Sequence, residues 1–156
     1  MIGKIRYNQI DWNPVPVGDT LGAEVVANWM CSDIQFSLNT LNIWLDVFAK
    51  VADGTKESGY QGTGNAHTIT AIDELILIEN EYFSNKQVLM TYAQINHALK
   101  KYKSLVIQVC DDNVPDLSPF TIEYEAEGED ASYQLTARLE QNESSSNINS
   151  GSKGMI

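Results

Sequence analysis

Apolar and polar positions along the chain change period several times, and each change marks an element. Lys4 to Ile10 sets Ile5 and Tyr7 against Lys4, Arg6 and Asn8, the alternation of a short strand. Trp12-Asn-Pro-Val-Pro-Val-Gly18 interrupts regular structure, because two prolines fix φ and remove donors. Leu21 to Trp29 fits either a strand or a short helix. Ser32 to Ala52 carries Ile34, Leu38, Leu41, Leu45, Phe48 and Ala52 at helical spacing, with Ser32 or Asp33 as N-cap and Gly54 as the stop. Asp53 to Asn65 holds Gly54, Gly59, Gly62 and Gly64 and reads as a polar loop.

His67 to Ile72 and Leu75 to Tyr82 predict two strands joined at Asp73-Glu74. A tight turn there sets Ile69 opposite Ile78 and Ala71 opposite Ile76, with His67 and Asn80 continuing that face. Leu75-Ile-Leu-Ile78 is apolar on both faces, as expected of a central strand. Val88 to Met90 predicts a third strand. Thr91-Tyr-Ala-Gln94 matches a capping box, and Ile95, Ala98, Leu99, Tyr102, Leu105, Val106 and Val109 continue at helical spacing. Asp111 to Pro119 is a loop. Phe120, Ile122, Tyr124 and Ala126 alternate with Thr121, Glu123, Glu125 and Glu127. Tyr133, Leu135, Ala137 and Leu139 alternate again beyond Gly128. The two segments predict an acidic C-terminal β-hairpin. Residues 141–156 are rich in Ser, Asn and Gly and predict a disordered tail.

Together these elements predict one α+β domain over residues 1–140. It is an antiparallel sheet with two amphipathic helices packed on one face and the acidic hairpin at its end.

Charge changes this picture most. The 156 residues carry 21 Asp and Glu against 10 Lys and Arg, a formal net charge of −11. The stretch from Asp111 to Glu143 concentrates the excess, with Arg138 its lone base. Such a balance argues against nucleic acid and anionic membranes as partners and favours a basic protein. No apolar run is long enough to cross a bilayer, and Met1 to Tyr7 has no apolar signal core. Cys31 and Cys110 cannot build a disulfide framework. A cytoplasmic protein without cofactor or metal is expected, as a monomer or weak homodimer.

Candidate chemistry is sparse. His67 and His97 are the two histidines, and an acid–base pair built from them would make a small hydrolase. Cys110-Asp-Asp112 and Glu79-Asn-Glu81 supply metal-ligand types without metal-ligand spacing. The glycine loop lacks a phosphate-binding pattern. Trp44 falls on the apolar flank of its helix. Tyr124 and Tyr133, set among acids, are candidate anchors for a basic partner, with packing inside the hairpin as the alternative.

Gly22-Ala-Glu-Val-Val-Ala-Asn-Trp29, Gly59-Tyr-Gln-Gly-Thr-Gly-Asn-Ala-His67 and Leu89-Met-Thr-Tyr-Ala-Gln-Ile-Asn-His-Ala-Leu-Lys-Lys-Tyr102 resemble bacterial immunity proteins of contact-dependent growth inhibition. The resemblance implies a non-enzymatic inhibitor that binds and neutralises a cognate toxin domain, often a nuclease. Such a partner is basic because it handles phosphates. The residues expected to meet it are Glu123, Glu125, Glu127, Glu129 and Asp130, then Asp111 and Asp112, with Tyr124 and Tyr133 between them. Two other readings stand beside this one: a subunit that joins its own copies through exposed sheet edges, and the His67–His97 hydrolase.

Overall fold

A computed structural model describes residues 1–154, with side chains through Ser144. The chain folds into an α+β domain with two antiparallel sheets. In order along the chain its elements are β1 (Ile2–Ile10), β2 (Asn13–Gly18), α1 (Leu21–Trp29), a π-helical turn (Met30–Ile34), α2 (Leu38–Ala52), β3 (Gly59–Thr63), β4 (His67–Ile72), β5 (Leu75–Asn80), β6 (Gln87–Thr91), α3 (Tyr92–Cys110), β7 (Phe120–Glu123), β8 (Ala126–Glu127) and α4 (Glu129–Gly154). The smaller sheet has the order β2-β1-β7 and the larger β3-β4-β5-β6-β8. No helix among the described residues is long and apolar enough to cross a membrane.

The proline segment is a strand after all. β2 lies on the outer edge of its sheet, where Pro14 and Pro16 need give up no ladder bond. It joins β1 through Asp11 and Trp12, both with positive φ (50° and 72°), the backbone of a tight hairpin. The ambiguous Leu21–Trp29 segment is helix, capped by Thr20, whose side chain accepts from Ala23 N. Neither Ser32 nor Asp33 caps α2. The π-helical turn prolongs α1, Gln35 at φ 60° breaks the chain, and Ser37 caps α2 by accepting from Thr40 N. Within the expected glycine loop, Gly59–Thr63 pairs with β4 through a register shift between Tyr60 and Gly62.

The β4–β5 hairpin has the expected register, with Ile69 opposite Ile78, Ala71 opposite Ile76 and His67 opposite Asn80. Thr91 and Gln94 form the expected capping box of α3. β6 adds on the far side of β5, which makes β5 central.

The C-terminal hairpin is corrected. Gly128, at φ 68°, ends β8, and Glu129–Gly154 is helical. Ala131, Leu135 and Leu139 recur every four residues, so the apolar positions that alternate like a strand also line one side of a helix. Glu129 and Asp130 in the first turn suit the positive end of its dipole. β8 already occupies the edge of β6. The tail expected over residues 141–156 lies, from residue 145 on, outside the described side chains.

This correction also changes the layering. On one face of the larger sheet, Ile69, Ala71, Ile76, Ile78, Val88 and Met90 share a core with residues of α1, α2 and α3. On the other, Leu77 and Leu89 pack against Ala131 and Leu135 of α4. The helices therefore cover both faces, which explains why Leu75 to Ile78 of β5 are apolar on both sides.

Candidate functional site

The acidic stretch does not form one face. Tyr124 is 1% exposed, and its hydroxyl hydrogen-bonds Thr20 Oγ1 at 2.7 Å and Glu127 Oε2 at 2.9 Å. Burial first, then the neighbouring carboxylate, raises that hydroxyl above the usual tyrosine range. A Cβ on Gly22 would sit 2.6 Å from the Tyr124 ring, so glycine there lets α1 lie against it. Tyr124 is thus an internal fastening between β7 and the start of α1, and it offers no anchor to a partner. Glu127 shares this role, since its Oε2 accepts from Gly22 N at 2.7 Å. Glu125 accepts from Gln94 Nε2 at 3.0 Å and from Arg138 at 3.2 Å. The Gln94 bond, helped by Arg138, holds its carboxyl below the usual range.

The other acids turn outward. Glu123 is exposed beside His97 and Thr121. Asp111 and Asp112 are exposed at the C-terminal end of α3, while Gln94 and Glu125 lie at its start. A helix of 19 residues puts about 28 Å between those ends. Glu129, Tyr133, Thr136, Glu140 and Glu143 are all exposed and follow one another at helical spacing along the outer side of α4. Asp130 flanks them and accepts from Gln134 Nε2 at 2.7 Å. Tyr133 is 74% exposed. Of the predicted anchors, then, Tyr133 faces solvent and Tyr124 does not.

Among the described residues, basic groups lie within 4.0 Å of Glu24, Asp33, Asp46 and Glu125. Among the described residues the stripe on α4 therefore has no basic partner.

The two histidines are held apart. His97, on the exposed side of α3, has Nε2 3.3 Å from the carbonyl oxygen of Thr121. His67 is buried at the start of β4, and its Nδ1 donates to Asp33 Oδ1 at 3.0 Å. The Asp33 carboxylate also accepts from His67 N at 3.1 Å and Ala66 N at 3.3 Å. A Cβ on Gly64 would come within 2.2 Å of it, which requires glycine there. An Asp–His pair can orient an imidazole for proton transfer. Here His67 Nε2 is buried without a hydrogen-bond partner, and the pair fastens the π-helical turn to β4. Spacing could not reveal this contact, because the partners are 34 positions apart.

Glu79 and His67 point to opposite faces of the sheet, since Glu79 is paired with Thr68 and His67 with Asn80. Among the described residues no three His, Cys, Asp or Glu come together as a metal site. Cys31 and Cys110 are both free and exposed. Trp44, half-buried on the apolar flank of α2, stacks on Phe48 and meets the core residue Trp29 edge-on. Trp12 is 96% exposed at the β1–β2 tip.

Comparison with known proteins returned no match from protein-family models, from curated proteins or from solved structures.

Proposed function

We propose that this chain is a non-enzymatic, acidic binding module for a basic protein, most concretely an immunity protein that occludes a nuclease-type toxin domain in the cytoplasm. The observation that carries this reading is the outer side of α4, where Tyr133 stands among Glu129, Asp130, Glu140 and Glu143. Carboxylates without a basic partner among the described residues raise the encounter rate with a basic surface. An exposed tyrosine supplies the rigid aromatic contact typical of binding hot spots. Sequence resemblance to immunity proteins points the same way.

Capture of partners on the tagged full chain at low and high salt tests the reading. The expected result is one basic protein retained in stoichiometric amount and released by salt, whose toxicity the chain suppresses. Combined Glu129→Lys, Asp130→Lys, Glu140→Lys and Glu143→Lys should abolish retention without unfolding the chain. Retention unchanged by these reversals, or a retained protein that is not basic, would overturn the proposal.

A further inference from the structure

The smaller sheet turns one face inward and leaves the other bare. Residues paired across strands share a face. On the inner one, Ile5, Pro16 and Ile122 are buried. The alternate positions of β1, Ile2, Lys4, Arg6, Asn8 and Ile10, are all exposed. Val15 and Val17 stand opposite Asn8 and Arg6 on the same side. Among the described residues, none of the apolar side chains on this outer face belongs to either core. β7 pairs with Ile2 to Ile5, so beyond them β1 and β2 run on as a two-stranded ribbon to Asp11 and Trp12.

That tip runs against backbone preference. Asp11 and Trp12 both have positive φ, and glycine ordinarily takes the second place in such a turn. Trp12 sets a bulky ring there instead. The residue is almost wholly exposed, so contacts within the described chain do not offset the strain.

The outer face also differs in sign from the rest of the molecule. Lys4 and Arg6 stand near its middle, and among the described residues neither has an acidic partner within 4.0 Å. Its acids lie at the two ends, Asp11 at the tip and Glu123 opposite Ile2. Such a centre repels a basic partner. A second copy fits it. Turned end for end about a two-fold axis near Tyr7, that copy brings its Asp11 toward Lys4 and its Asn8 toward Arg6. The same rotation carries each Trp12 to the exposed Ile2 of the other copy. Joining edge to edge is closed along β2, where Pro14 and Pro16 lack the N–H groups by which a further strand would add.

We propose that two copies of this chain associate through the outer face of the smaller sheet, with β1 antiparallel to β1 and each Trp12 seated on the other copy's Ile2. The strained turn is then held for a contact outside the chain. The ribbon is about 30 Å long and about 10 Å wide, and with the two tips the pair buries on the order of 800 Å² in all. That is the range of transient association, with a dissociation constant of about 100 µM. The proposal is independent of the basic-partner reading, because α4 packs on the other sheet and stays free.

Sedimentation equilibrium of the full chain from about 1 µM to about 1 mM tests it. About 150 mM salt screens the repulsion between copies of net charge −11. A monomer–dimer equilibrium is expected. Lys4→Glu, at an exposed position, should weaken it about tenfold, and adding Asp11→Lys should restore it. Lys4 and Asp11 are seven residues apart along one strand, about 24 Å, so only a contact between copies explains that recovery. Trp12→Gly should weaken the dimer about tenfold while the thermal midpoint of the dilute chain holds or rises, because glycine suits the turn. A monomer throughout, open-ended assembly, a dimer indifferent to Lys4→Glu, or a double variant that stays monomeric would each overturn the interface. A monomer that sediments with phosphatidylcholine vesicles through Trp12 would assign the face to a lipid surface instead. The two proposals fail separately. Glu140→Lys with Glu143→Lys should leave the dimer intact, and a dimer lost with them would move the contact to α4. Lys4→Glu should leave capture of a basic protein unchanged.

Discussion

Glu127 and Glu140 belong to the same acidic stretch, yet their surroundings assign them opposite duties. Glu127 holds the first turn of α1 and the hydroxyl of Tyr124. Glu140 stands on the outer side of α4 in water. The difference teaches that charge density along a chain says little about a charged surface. A carboxylate that accepts internal N–H and O–H groups is spent on the fold. Only those left over create a field that a partner can feel. By this criterion Asp33, Glu125 and Glu127 are structural, whereas Glu129, Glu140 and Glu143 are available and Asp130 is held only by Gln134 of its own helix.

The division is broken most sharply at Asp33. Asp33→Ala removes the acceptor for two backbone N–H groups and the His67 ring, deep in the protein. Stranded buried donors make a loss of about 3 kcal/mol the expected outcome. Urea unfolding measures it, and a loss below about 1 kcal/mol would show that the turn relaxes and that Asp33 is no fastening. Glu127→Gln is the gentler test. It keeps an acceptor but removes the negative charge at the start of α1, for an expected loss of about 1 kcal/mol. Glu140→Gln, as its counterpart, should change stability by less than about 0.5 kcal/mol. Equal effects at the two positions would erase the distinction between inward and outward acids.

Much of the fold is legible where local and long-range demands agree. The β4–β5 register follows from alternation and a short turn, and the α3 cap from Thr91 and Gln94. Other regions carry two periods at once. Leu135 and Leu139 satisfy strand alternation with Tyr133 and helical spacing with Ala131, and only the bend at Gly128 and the occupied edge of β6 decide between them. The β1–β2 turn is hidden because Asp11-Trp12 lacks the glycine that usually marks it. The site is less legible still. Nothing in sequence separates Glu127 from Glu129, because the remote partner that distinguishes them, the Gly22 N–H, lies 105 positions away along the chain.

Glu79 stands between the two classes and gives a small and diagnostic effect. It is partly buried but lacks the internal donors of Asp33 or Glu127, and desolvation raises its carboxyl above the usual range. A raised value in the folded state means that the folded chain takes up the proton before the unfolded chain does. The ionised group therefore costs stability. That cost is absent below the unfolded-state value, where both states are protonated, and complete once pH exceeds the folded-state value. Glu79→Gln should accordingly stabilise the chain near neutrality and lose its advantage by about pH 4. Partial exposure screens the charge and limits the gain to about 0.5 kcal/mol. Thermal midpoints of the two chains at about pH 4 and about pH 7 measure the difference. A variant less stable than its parent at both would place Glu79 with the structural acids. A variant more stable at neutrality would show a carboxylate kept at the expense of the fold, the pattern expected where something other than stability sets the residue.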